Sequence, residues 1–134
     1  MSFIYNKGAN GLLDGTIVFS SATIKARLFL TSATGDKDST FMTALGVTGN
    51  DVVLTSKTGP TIDNATDRNI YSCANITFPT QVAGGEVDSI IIFKFVSVDG
   101  DSIPIALVPI TAVTPNGGDI VVTIPAGGLF YLQG

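Results

Sequence analysis

The sequence predicts an all-β protein, a single β-sandwich, jelly-roll-like or barrel-like domain of about eight short strands. Three observations carry that reading. Several segments alternate apolar and polar residues with the period of two that a half-buried strand requires. Fifteen glycines and six prolines punctuate them at turn spacing. The acidic residues are ten Asp and one Glu, and Asp favours turns and caps where Glu favours helix interiors. A chain of 134 residues fits one domain, since domains cluster at about 100–150 residues.

Residues 1–15 carry Gly8, Gly11 and Gly15 with no clear period, so they read as an N-terminal arm or irregular segment before a β-sandwich domain over 16–134. Phe3, Ile4 and Tyr5 form an apolar patch on that terminus. Ile17-Val18-Phe19 suggests a short strand. Thr23–Leu30 is the clearest strand, with Ile24, Ala26, Leu28 and Leu30 alternating with Lys25, Arg27 and Phe29. A polar loop over Thr34–Ser39 leads into the one expected helical element, a turn near Ser39–Leu45 that Asp38 or Ser39 caps and Gly46 ends.

Asp51–Lys57 is a weaker strand, and Thr58–Asn69 reads as a loop of Gly, Pro, Asn and Asp. Ile70–Phe78 alternates again. Asp88–Val98 is β-branched and aromatic on both faces, the mark of a central strand covered on both sides. Asp99-Gly100-Asp101-Ser102 reads as a hairpin turn into Ile103–Ile110, which Pro104 and Pro109 push towards a sheet edge. After a turn at Asn116–Asp119, Ile120–Ile124 and Leu129–Leu132 are expected to pair as a last hairpin.

The totals limit function. The chain has no histidine, the commonest general acid/base and metal ligand near neutral pH, and one cysteine, Cys73. A lone cysteine makes no internal disulfide, and its apolar strand context reads as a buried small hydrophobe. The net charge of −4, with no Lys/Arg cluster, argues against nucleic-acid binding. No apolar run approaches the roughly 20 residues of a membrane span, and the start lacks the pattern of a signal peptide. Only 13% of residues are charged against about 25% in typical domains. The exterior must therefore be largely neutral, or part of its apolar surface must be covered by a partner.

Motifs with chemistry reduce to structure. Lys57-Thr58-Gly59 lacks the companion elements of penicillin-binding enzymes. Asp99 and Asp101 flank a glycine as in part of a calcium loop, but the bidentate Glu is missing and a hairpin turn explains them. Asp36 and Asp38 read as a solvated loop or cap, and the triplets at Asn64 and Asn75 have little meaning without secretion. The expectation is a non-enzyme with no cofactor and no metal site.

Leu12-Leu13-Asp14-Gly15, Thr23–Ser32, the Phe41–Leu45 turn and the closing Ile120–Leu129 with its Pro125-Ala126-Gly127-Gly128 stand in an order that resembles a group of small all-β virion proteins of tailed bacteriophages, including cyanophages. The resemblance spans nearly the whole chain through short, apolar motifs. It implies a structural role, most often as a capsid decoration or cement protein. Such a protein is made in the host cytoplasm and bound through the major capsid protein to the outer surface of the virion head. Self-association is also implied, a trimer around local three-fold axes being one arrangement. The alternatives are a tail or neck adaptor, and a host-surface carbohydrate-binding β-sandwich module with Asp99 and Asp101 holding calcium. Intersubunit contact is expected at Phe3, Ile4 and Tyr5 and at Leu129, Phe130, Tyr131 and Leu132, with deletion of Met1–Asn10 expected to release the protein from particles without unfolding it.

Overall fold

The computed structural model describes residues 3–43 and 45–133. Antiparallel strands in two layers enclose a common core, and the sheets do not close into a barrel. The larger layer has five strands in the order β1-β8-β7-β2-β3. These are β1 (Phe3–Ile4), β8 (Ile103–Val113), β7 (Val87–Lys94), β2 (Ile24–Leu30) and β3 (Val47–Val53). The facing layer is split. One sheet orders β10 (Phe130–Gln133), β5 (Arg68–Ser72) and β4 (Thr58–Asp63), and a second pairs β6 (Ile76–Phe78) with β9 (Ile120–Val122).

β7 is the centre of the large sheet, as its two-faced hydrophobicity predicts. Ile90 and Ile92 point into the main core between the layers. Ile91 and Phe93 point the other way, into a second cluster with Tyr5, Phe29, Met42 and Leu107. That second cluster lies under the 31–46 segment, where Ala33 and Leu45 pack on it. β2 repeats the alternation: Ile24, Ala26 and Leu28 are buried in the main core, while Lys25 and Arg27 are half-buried on the other face. Between the layers Tyr71 and Phe130 stack at 4.9 Å, with Phe19 edge-on to both. Ile17 and Phe19 are core residues outside any strand.

The helix is not where the sequence places it. Ser39–Met42 and Leu45 form bends and irregular backbone, with Ala44 outside the described residues. Two carbonyls from the β7–β8 turn, Asp99 and Ser102, accept the Met42 N–H and hold the segment against the sheet. The helix, α1, runs instead over Asn6–Asp14, so the segment expected as an arm or irregular is a strand and a helix over its described residues. The glycines that argued against a helix dock and end it. A Cβ on Gly8 would stand 2.5 Å from the Ile105 Cα and the Pro104 carbonyl oxygen, so only glycine lets α1 sit on β8. Gly15 ends the helix in the left-handed region at φ 83°.

Other boundaries shift. β4 occupies the expected loop, with the tight turn confined to residues 64–67. The predicted 70–78 strand is two strands in different sheets, and Tyr71 rather than Ile70 is the buried residue. The expected last hairpin does not form, because β9 pairs with β6 and β10 pairs with β5. Among the described residues no helix is long and apolar enough to cross a membrane.

Candidate functional site

β8 explains where a surface opens. Its first half is covered: Phe3 and Ile4 pair with Leu107 and Ala106, the Tyr5 N–H donates to the Ile105 carbonyl, and α1 packs beside it. Beyond Leu107 no described residue pairs with that edge. Because Tyr5 bonds Ile105, the backbone groups of 105, 107 and 109 all face outward there. Pro109 therefore presents a carbonyl and no N–H, which is why a proline is tolerated in this strand. Pro104 stands instead beside the register shift between Ile92 and Phe93, the other position a sheet allows it.

On the opposite layer, among the described residues, β9 pairs only with β6 and β10 only with β5, so their outer edges also end here. Between these edges lies a cleft of about 510 Å³. Five of the seven contact residues expected from the sequence line it: Phe3, Ile4, Leu129, Phe130 and Tyr131. Two segments at opposite ends of the chain thus converge on one hollow. The other two do not belong to it. Tyr5 is fully buried in the second core, where burial and then the nearby Asp36 push its hydroxyl up to about 12. Leu132 is half-buried against the main core. Tyr5 also corrects the deletion experiment, since removing residues 1–10 would take out a core side chain and the first half of the docked helix, Gly8 included.

Leu129 and Phe130 are themselves buried, so they wall the cleft rather than project from it. Tyr131 is 40% exposed. The cleft's remaining polar side chains are Thr123 and Arg68. Arg68 lies with its guanidinium carbon 3.9 Å from the Tyr131 ring centroid, and its Nε–H is buried without an acceptor. Asp63 is its cross-strand neighbour, but that carboxylate accepts from the Thr66 hydroxyl at 2.6 Å and the Ala65 N–H at 3.1 Å. No carboxylate among the described residues comes within ion-pair distance of Arg68. A second hollow of about 830 Å³ adjoins, between Pro109–Val113 of β8 and Asp119–Thr123, and shares Pro109, Val122, Thr123 and Pro125 with the first. Arg68 and the 122–125 segment escaped sequence reasoning, since one lies in an expected loop and the other in an expected hairpin. Pro109 was the legible signal of an open edge.

The other chemical candidates are engaged in holding the fold. Arg27 donates to both Asp99 carboxylate oxygens at 3.0 Å and also pairs with Asp51. The Arg27 guanidinium holds the Asp99 carboxyl below its usual range, so that carboxylate is already occupied as a calcium ligand would not be. Asp101 is exposed beside Ser97, and no group of three or more potential metal ligands occurs among the described residues. Burial raises the Cys73 thiol to about 11, which suppresses the thiolate. Lys57 donates to the Ala22 carbonyl, and Asn75 accepts from the Ile124 N–H.

What the cleft offers is apolar wall, unpaired strand edge and one cation, an arrangement suited to holding a chain. Comparisons with models of known protein families, with curated proteins and with solved structures each returned no match.

Proposed function

We propose that the protein is a virion structural protein of a tailed phage, a decoration or cement protein that binds the major capsid protein on the outside of the head and joins neighbouring subunits. The observation that carries an adhesive role is the convergence of Phe3, Ile4, Leu129, Phe130 and Tyr131 on one cleft between unpaired strand edges. The phage setting rests on the sequence resemblance. An extended segment of a neighbour laid along such an edge gains main-chain hydrogen bonds while its side chains fill apolar hollows. Repetition over a shell raises weak contacts into stable attachment, by factors on the order of 10²–10⁴ for linked events.

The test is occupancy on purified particles. Electron cryomicroscopy of the particle should find this chain on the head at a stoichiometry matching the capsid lattice. Density on the neck or tail would favour an adaptor, and absence of the chain from purified particles would defeat the virion reading altogether. Shells stripped of the protein should rebind it, and Ala112→Lys, which places a charge beside the open edge, should abolish rebinding. Undiminished rebinding by that variant would remove the open β8 edge and the second hollow, which Ala112 lines, from the account.

A further inference from the structure

The two hollows form a trough along β9 with opposite charges at its ends. Among the described residues Arg68 is the only charged side chain lining the first hollow, and Asp119 the only one lining the second. Asp119 already accepts the Thr80 N–H at 2.8 Å, whereas Arg68 has a buried Nε–H without an acceptor and no ion-pair partner among the described residues. Tyr131 packs on the guanidinium plane. A guanidinium fixed this way presents its remaining donors in the planar fork that matches a carboxylate.

We propose that the trough takes an extended apolar segment of a partner protein carrying one carboxylate, and that Arg68 is the residue that receives it. The proposal deepens the adhesive reading above and rests on it. Charge complementarity selects this occupant. Among the described residues Arg68 is left without an ion-pair partner in an apolar hollow, where a carboxylate on an otherwise uncharged strand meets it and a basic side chain at the same place is repelled by it. The outward Pro109 carbonyl accepts a main-chain N–H from the incoming strand, and the walls at Val122 and Phe130 receive its apolar side chains.

The experiment uses the full ¹⁵N-labelled chain and two blocked peptides, acetyl-Val-Ile-Val-Asp-amide and its Asn counterpart, followed by amide chemical shifts. The Asp peptide is expected to shift resonances in 107–113 and 120–131 and to bind about tenfold more tightly than the Asn peptide, the size of one charge-assisted hydrogen bond. That preference should weaken with salt and vanish in Arg68→Gln. Equal binding of the two peptides to the unaltered chain overturns the assignment of Arg68, whatever the variant's stability. Shifts confined to other regions overturn the trough, and octanoate binding as tightly as the Asp peptide overturns the role of the backbone. None of these results touches rebinding to stripped shells, so the adhesive reading stands or falls separately.

Discussion

The two halves of β8 have nearly the same character in sequence and opposite fates in the structure. Ile103–Leu107 has its outer edge closed by β1, Tyr5 and a helix seated on glycine, and Ile105, Ala106 and Leu107 are buried. Val108–Val113 has no described neighbour on that side, and Pro109, Thr111 and Ala112 are exposed. The first half is completed by the chain itself. The second packs Val108, Ile110 and Val113 on the main core but leaves its outer edge without a described neighbour, so what lies beside the strand, not its composition, separates the two halves.

Substitutions on the two halves should separate these roles. Ile105→Ala, in the closed half, should lower the unfolding free energy by about 2–5 kcal/mol, as deleting a fully buried aliphatic does. Urea denaturation measures it, and a loss near zero would mean the site is not packed as described. Gly8→Val should cost about 1–3 kcal/mol by forcing α1 off the Pro104–Ile105 backbone, and the amides of Ile105 and Leu107 should then exchange faster with solvent.

Asp99→Asn, at the turn that feeds the closed half, should cost less than about 1 kcal/mol, because Asp99 is partly exposed and solvent screens its pair with Arg27. Its folded-state pKa lies below the ordinary value of 3.8. The stabilisation is therefore fully present above pH 3.8 and disappears as the pH falls through the folded value. Wild-type and variant stabilities should converge in strong acid, and a gap that persisted there would assign the effect to packing. Smallest of all should be Ala112→Lys in the open half, within about 0.5 kcal/mol of wild type by the same denaturation. A larger loss would show that this half is also structural.

What sequence could reveal follows the same division. β2 and β7 were legible because each has an alternation, or a two-faced hydrophobicity, that only a sheet interior rewards. The open edge of β8 was legible through Pro109, whereas Pro104 marked a register shift in the covered half. The helix was not, because Gly8 and Gly11 weaken an isolated helix by roughly 1 kcal/mol each, and only tertiary neighbours make glycine the right choice: the Pro104–Ile105 backbone, nearly a hundred residues on, at Gly8 and the Ile17 side chain at Gly11. Conversely, the Phe41–Leu45 period looked helical but serves to lay Met42 and Leu45 on the second core. Strand pairing was the deeper failure. Ile120–Ile124 and Leu129–Leu132 are adjacent in sequence and strand-like, yet each finds a better partner in β6 or β5, a choice made by tertiary contacts. The cleft was half legible: part of its apolar wall came from the two chain ends, while the 122–125 wall lay in an expected hairpin and its cation in a segment that looked like a loop.

The outward face of Pro109 has one more implication. An edge that lacks the N–H donor at Pro109 templates its own likeness poorly, since each copy in such a pairing goes without that hydrogen bond. Uncontrolled stacking of copies into fibrils through β8 is thereby discouraged.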